Sequence, residues 1–236
     1  MKSTGNSYKR KEVSGDDNED DETTAVKKKK RKRKRITEEE IPTSGGDCSS
    51  LRNALNKHFP DLSTLEVEDM ALDDCHFTTC NVEKTHTVIS YLKQTLPKWH
   101  RISTDHNHKM SPLILVICGN ALRASNLNSS SKPFKGKSCR SAKLFSRHMK
   151  IEEQAKTLKN SVIHFAVGTP ARIKALIQQG ALTLAHTRAV VIDWNWRDVK
   201  MKRIADVRET RESLFSLLKD CVIPACKTGN VKIGLF

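Results

Sequence analysis

The chain has 236 residues, 37% of them apolar and 29% charged, which is enough for one domain of ordinary size and a tail. The formal net charge is +15, and residues 47–236 carry +12 of it (29 basic against 17 acidic side chains), so the folded part is itself basic. A basic domain favours a polyanionic partner such as RNA, and no apolar run is long enough to cross a bilayer, so we expect no membrane partner. Charge alone leaves a solvated lysine-rich surface as the alternative.

The cysteines argue against both disulfides and a metal centre. There are seven of them, an odd number, and with no signal peptide in view they indicate a reducing intracellular compartment. Cys75 and Cys80 are five residues apart, as are Cys221 and Cys226, which is looser than the usual zinc-finger pairs. We therefore predict no metal and no cofactor. Three histidines are assigned to a solvated loop: His100, His106 and His108.

Residues 1–46 are predicted to form a disordered tail, because aromatic residues are scarce and the charges come in blocks. An acidic block between Asp16 and Glu22 is followed by nine consecutive cations. Such a run is typical of a nuclear-targeting signal or an RNA-contacting arm, and a solubilising tail is the alternative. The nine residues are Lys27, Lys28, Lys29, Lys30, Arg31, Lys32, Arg33, Lys34 and Arg35.

Residues 47–236 have the composition of one folded domain. Leu51 and Leu55 suit a short helix, and apolar residues at helical spacing from position 88 predict another that Pro97 ends. Residues 113–117 read as a buried strand, followed by a polar loop over residues 120–138.

The second half of the domain repeats this alternation. The predicted order is a helix over about 140–159, a strand at 162–167, a helix from Pro170 to Gly180, a strand at 189–192, a helix around 214–218 and an apolar run at 231–236. Short apolar runs separated by helices predict an α/β domain with a parallel β-sheet covered by helices on both faces.

The segment Gly168-Thr169-Pro170-Ala171-Arg172 follows a predicted strand. The Thr169 hydroxyl can cap the next helix, and Pro170 at its first position costs no hydrogen bond. Open α/β sheets bind ligands at this end of a strand, where free N–H groups favour a phosphate and Arg172 adds a planar guanidinium. On local sequence alone, a well-formed helix start is the alternative.

The next predicted strand ends in Asp193, a position that could hold Mg²⁺ in a nucleotide hydrolase. No glutamate follows it to orient a water molecule. Trp194 and Trp196, on either side of Asn195, stack on bases or pack in an interior. Gly136-Lys137-Ser138 is not predicted to be a P-loop, because Ser131 stands where glycine is needed and no strand immediately precedes it. The surrounding cations are interpreted as a basic patch: Lys132, Lys135, Lys137, Arg140 and Lys143.

These segments resemble the first domain of a DEAD-box RNA helicase. Thr169, Pro170 and Arg172 match the T-P-G-R motif, and Asp193 matches the first acid of D-E-A-D. Ala171, however, replaces a glycine, and the two tryptophans replace the glutamate and the last aspartate. VICGNAL occupies the place of P-T-R-E-L and matches it only at Leu122, and the chain ends at KIGLF, before S-A-T. The resemblance implies a RecA-like domain without ATP hydrolysis.

Most of residues 85–236 resemble the CMS-one family, through AKLFSRHMKIEEQ, VGTPARI, IDWNWRD and KIGLF. The resemblance implies a nucleolar, non-enzymatic RNA-binding factor in small ribosomal subunit biogenesis. Its expected partners are pre-rRNA or snoRNA and pre-ribosomal small-subunit proteins. The alternatives are a protein scaffold without RNA contact, with Trp194 and Trp196 as hot spots, and a residual NTPase. The residues expected to contact RNA are Thr169, Pro170, Arg172, Leu122, Lys135, Lys137, Arg140 and Lys143.

Overall fold

The computed structural model describes residues 48–79, 87–229 and 231–236, so the basic run of the tail and the predicted domain boundary at residue 47 lie outside it. Its centre is a five-stranded sheet in the order β2-β3-β1-β4-β5, with every neighbouring pair parallel. This confirms the predicted parallel α/β architecture. The strands are β1 (Ile114–Ile117), β2 (Ser141–Leu144), β3 (Phe165–Gly168), β4 (Ala189–Ile192) and β5 (Lys232–Leu235).

Helices fill most of the intervals between the strands. None of those in the described ranges combines the length and the apolar character needed to pass through a bilayer. The helices are α1 (Cys48–His58), α2 (Thr64–Met70), α3 (Val88–Thr95), α4 (Trp99–Asp105), α5 (Ala121–Ser130), α6 (Lys132–Lys135), α7 (Ile151–Asn160), α8 (Pro170–Gln178), α9 (Arg208–Leu217) and α10 (Ile223–Lys227). A 3-10 turn spans Asp74–His76, and a π-helical segment, Leu218–Val222, joins α9 to α10.

Two apolar cores lie on the two faces of the sheet, because successive side chains of a strand point to opposite faces. In β1, Leu115 and Ile117 join a core with α1 and α7 to α10, whereas Ile114 and Val116 join a core with α3 to α6. The edge strand β2 differs, since Ala142 and Leu144 are buried in the first core while its other two side chains are exposed. One face of β2 is therefore open beside α5 and α6.

The polar loop predicted over residues 120–138 is wrong, since this segment holds α5 and α6. The Asn120 side chain caps α5 by accepting a hydrogen bond from the Arg123 N–H at 2.8 Å. Only Ala124 and Leu127 of α5 bury apolar side chains beneath the sheet. This stripe is too narrow to be recognised against the serines and asparagines around it.

The helix predicted over residues 140–159 is also wrong in its first half. Residues 141–144 form β2, and α7 begins only at Ile151. Between them His148 adopts a left-handed backbone with φ 60°, which a continuous helix excludes. Leu144 and Leu158 share a core, and their helical spacing is therefore misleading. The predicted strands at 113–117, 162–167, 189–192 and 231–236 are confirmed to within three residues at each end, as is the helix from Pro170.

Candidate nucleic-acid interface

The carboxyl ends of all the strands meet at one edge of the sheet, here called the carboxyl edge, because the sheet is parallel. The loops after β1, β2, β3 and β4 lie there. Thr169 and Arg172 belong to this edge, as does Leu122 in the first turn of α5. Leu122 is 62% exposed and lies at the surface, but its side chain offers no polar atom to a phosphate, and its contact with RNA stays a prediction.

The β3–α8 junction is built around a close approach of two strands. A Cβ added to Gly168 would lie 2.1 Å from the Leu144 carbonyl oxygen, so only glycine fits. Thr169 is the N-cap residue of α8, but its hydroxyl makes no capping hydrogen bond, and the predicted hydroxyl cap is therefore wrong. The Thr169 N–H instead donates to the Leu144 carbonyl at 3.0 Å. Pro170 occupies the first turn of the helix, as predicted.

Arg172 braces the edge strand rather than standing free. Its Nη1 donates to the Met149 carbonyl at 3.2 Å and to Gln154 Oε1 at 3.1 Å. The buried Gln154 amide in turn donates to the Lys143 and Phe145 carbonyls at 3.1 and 2.9 Å. Arg172 remains partly exposed, and the partners named here carry no charge, so its positive charge is still available to an anion.

The predicted basic patch is divided by the structure. Lys137 and Arg140 are exposed and precede β2, which places them at the opposite edge of the sheet from Arg172. Lys143 is exposed on β2 itself and lies between the two edges. The segment after β2 adds Arg147 and His148, both exposed, with the Arg147 Nε 3.3 Å from His148 Nε2. Sequence reasoning missed these two side chains because it placed them within a helix.

Lys135 does not lie on the basic surface, and its prediction as part of that patch is wrong. It is buried, and its ammonium group donates to the Asn128 carbonyl at 2.8 Å, to Asn128 Oδ1 at 2.6 Å and to Ser141 Oγ at 3.4 Å. Burial lowers its pKa to about 8, although the contact of Nζ with the Phe165 ring at 4.7 Å favours the charged form. Because three acceptors match its three protons, Lys135 serves to cap the end of α5.

Two adjoining cavities form a groove along the open side of β2, hereafter the β2 groove. The larger, about 530 Å³, is lined by Lys132, Lys137 and the buried Lys135, and the smaller, about 250 Å³, by Lys143 and Gln154. They share two residues, Asn128 and Ser141. The groove thus follows a line of exposed cations from one edge of the sheet toward the other.

A buried ion pair occupies the end of β4. Arg123 Nε and Nη2 each lie 2.9 Å from one oxygen of Asp193, and the Asp193 side chain is 1% exposed. The Trp196 ring lies 5.0 Å from the Arg123 guanidinium carbon, which adds a cation–π contact. Sequence reasoning missed Arg123, since nothing in the chain marks a partner 70 residues away from Asp193.

The two tryptophans at the end of β4 pack against the protein. Trp194 is only 4% exposed, and its Nε1 donates to Ser50 Oγ of α1 at 2.9 Å. Trp196 is partly exposed beside Arg123. The Asn195 N–H donates to the Phe236 carbonyl at 2.9 Å. Of the two interpretations that the sequence leaves open for Trp194, packing is confirmed.

The predicted absence of a metal site stays a prediction, whereas one of the histidine predictions is wrong. Asp73, Cys75 and His76 place their potential ligand atoms within 4.8 Å of one another, while Cys80 lies outside the described residues. Burial raises the pKa of Cys226 to about 12, so this thiol stays protonated. The solvated loop predicted for His106 is wrong, because its side chain is buried. The centre of its ring lies 5.6 Å from the centre of the His164 ring.

The chain is similar to a family of known proteins over most of its length. A family model described as "CMS1: U3-containing 90S pre-ribosomal complex subunit" matches residues 3–236. Protein CMSS1 of Danio rerio is 40% identical over 85% of this chain and 67% of its own length. Protein CMSS1 of Homo sapiens is 42% identical over 73% of this chain and 61% of its own length.

More distant matches extend to fungi and to solved structures. Protein CMS1 of Chaetomium thermophilum is 32% identical over 67% of this chain and 64% of its own length. Among solved structures, the RNA helicase Prp28 from Chaetomium thermophilum bound to ADP aligns with a TM-score of 0.45 and 18% identity, over 85% of this chain and 45% of that one. Since the family model matches nearly the whole chain, the protein belongs to the CMS1 family of 90S pre-ribosomal complex subunits.

Proposed function

We propose that this protein is a non-enzymatic RNA-binding factor of the nucleolus that acts in small ribosomal subunit biogenesis. Membership of a family of 90S pre-ribosomal complex subunits supports the role in ribosome biogenesis. A pre-rRNA or a snoRNA is the proposed ligand, and small-subunit precursor proteins are the proposed neighbours. The cationic run from Lys27 to Arg35 supports entry into the nucleus.

The single observation that carries RNA binding is the line of exposed cations along the β2 groove. Lys137, Lys143 and Arg147 follow one another past β2 toward the carboxyl edge, and none of them takes part in an ion pair among the described residues. Cations without carboxylate partners gain most from a phosphate chain, because contact with it releases condensed counterions. Arg172, which donates to the Met149 carbonyl in the segment after β2, adds a further cation at the carboxyl edge.

The absence of ATP hydrolysis is proposed on two observations. The carboxylate of Asp193 is already paired with a guanidinium, so a magnesium ion would have to displace Arg123 to reach it. The Gly136-Lys137-Ser138 triplet is followed by a strand, β2, whereas a phosphate-binding loop opens a helix. ATP hydrolysis that is abolished by Asp193→Asn would favour the residual NTPase instead.

The test is RNA binding at several salt concentrations with matched charge variants. The Lys137→Gln/Lys143→Gln variant should lower affinity for single-stranded RNA and reduce the salt slope by about 0.7 for each phosphate that it no longer neutralises. The Lys57→Gln/Lys93→Gln variant removes two exposed lysines from α1 and α3 and serves as the control. Filter binding at low salt measures both, and an equal decrease in the two variants would reject the β2 groove as the RNA site.

Arg172→Ala is a poor first test of RNA binding, although Arg172 matches the RNA-contacting motif. Removing it also removes the brace on Met149 and Gln154, so a decrease in affinity would mix two causes. The alternative of a scaffold without RNA contact relies on Trp194 and Trp196 as hot spots. Because Trp194 is buried, its replacement would test folding rather than docking.

A further inference from the structure

The loop between β4 and α9 presents aliphatic side chains to solvent at its tip. Val199 is 92% exposed and Met201 is 67% exposed, and both lie within residues 195–203, hereafter the tip loop. These two side chains place an exposed apolar pair next to the charged groups of the same loop. The loop leaves the carboxyl edge next to β1, since a Cβ on Gly119 would lie 3.8 Å from Ile204.

The tip loop is held in one conformation by hydrogen bonds centred on Asp198. Its carboxylate accepts hydrogen bonds from the backbone N–H groups of Lys200 and Lys202 at 2.8 and 2.9 Å. These bonds hold the pKa of Asp198 below its usual value, so the contact persists at neutral pH. The Asp198 N–H donates to the Lys202 carbonyl, and Arg197 Nη1 donates to the Met201 carbonyl at 3.1 Å.

The tip loop also includes a strained backbone position. Met201 has φ 59°, a left-handed conformation that costs an unbranched residue about 1 kcal/mol. Glycine or asparagine would fit there without an exposed thioether. A loop that is hydrogen-bonded into one conformation before binding loses less ordering entropy when a partner docks, so its exposed apolar side chains are preorganised for contact.

The charge of the tip loop defines the partner. Lys200 and Lys202 are exposed on either side of Met201, Arg197 is partly exposed, and none of the three forms an ion pair among the described residues. The negative charge of Asp198 is used within the loop. An RNA chain would satisfy the cations and could stack a base on Trp196 or Arg197, but it would leave the aliphatic side chains of Val199 and Met201 uncovered.

We propose that the tip loop is a docking site for an acidic protein segment that carries apolar side chains, contributed by another protein of the pre-ribosomal complex. The apolar side chains of that segment cover Val199 and Met201, and its carboxylates pair with the lysines beside them. This surface is separate from the β2 groove and does not depend on RNA binding there. It differs from the scaffold alternative in resting on Val199 and Met201 rather than on Trp194, which is buried.

Site-specific photo-crosslinking in the full-length protein tests the partner's chemistry. A benzophenone amino acid placed at position 199 is expressed in cells, the pre-ribosomal complex is isolated after irradiation, and the crosslinked peptide is sequenced. The same photoprobe at Leu65, which is 74% exposed on α2, is the control. The expected product is a protein segment with more acidic than basic residues. A crosslink to RNA, to a segment without acidic excess, or no product above the Leu65 control overturns the proposal.

Paired substitutions supply a second readout. Val199→Ser/Met201→Ser should lower the fraction that co-sediments with pre-ribosomes about tenfold, as removal of a hot spot does. Leu65→Ser/Val67→Ser removes a comparable exposed apolar pair elsewhere and should change it less than twofold. RNA affinity should be unchanged in both variants. The two readouts therefore test the two sites separately, because a result against the β2 groove as the RNA site would appear in RNA affinity alone.

Discussion

The ends of β3 and β4 make an instructive pair, because each carries a residue that the helicase resemblance assigns to a ligand. Arg172, after β3, is partly exposed and held by an uncharged carbonyl and amide. Asp193, after β4, is buried against a guanidinium. The first position keeps a charge that a phosphate can use, and the second has its charge cancelled within the protein. A retained motif residue therefore indicates a ligand site only when the side chain or carbonyl that it contacts in the fold is known as well.

The largest effect that would test this contrast is expected at the buried pair. Arg123→Ala leaves the Asp193 carboxylate buried and unpaired, which should lower the free energy of unfolding by about 3–5 kcal/mol. Urea denaturation followed by circular dichroism measures the decrease. The Arg123→Met/Asp193→Asn variant, which removes both charges, should recover most of the stability. Equal instability of the single and double variants would mean that packing, rather than charge pairing, matters here.

An intermediate effect is expected where Arg172 acts through Gln154. Gln154→Leu leaves the carbonyls of Lys143 and Phe145 without their side-chain donor and should cost about 1–3 kcal/mol. If Arg172 braces the edge strand through this amide, Arg172→Ala adds little in the Gln154→Leu background. A double-mutant cycle in urea should give a coupling energy above about 0.5 kcal/mol. Simple additivity would contradict the brace.

The smallest effect is expected at Thr169. Thr169→Ala should change the free energy of unfolding by less than about 0.5 kcal/mol, because its hydroxyl makes no capping bond. Asn120→Ala is the matched control, since the Asn120 side chain does cap α5, and removal of such a cap costs about 1 kcal/mol. Thermal unfolding of both variants gives the comparison. A destabilisation by Thr169→Ala as large as that by Asn120→Ala would mean that the Thr169 hydroxyl does cap α8.

The parts of the fold that the sequence predicts are those whose burial is complete. β1, β3 and β4 are apolar on both faces and appear as continuous apolar runs. The edge strand β2 buries only alternate residues, so the polar side chains of Ser141 and Lys143 interrupt its apolar run. Helix α5 has too few apolar residues to show a helical period. The sequence therefore reveals the centre of the sheet but not the side where the groove lies.

The site is predictable in its positions but not in its partners. The sequence identifies Arg172 and Asp193 through local motifs, and the structure places both at the carboxyl edge. Their partners, Gln154 and Arg123, lie 18 and 70 residues away, and no local pattern marks them. The same holds for Lys135, whose burial depends on the Asn128 carbonyl at the end of α5.

The Arg123–Asp193 contact also bears on how the protein leaves the pre-ribosomal complex. Both charges of the pair are used inside the domain, so the carboxylate at the end of β4 is not open to a metal–phosphate complex. If ATP hydrolysis is absent, as proposed above, we expect this protein to be released from the complex by remodelling of the RNA or by the arrival of another factor.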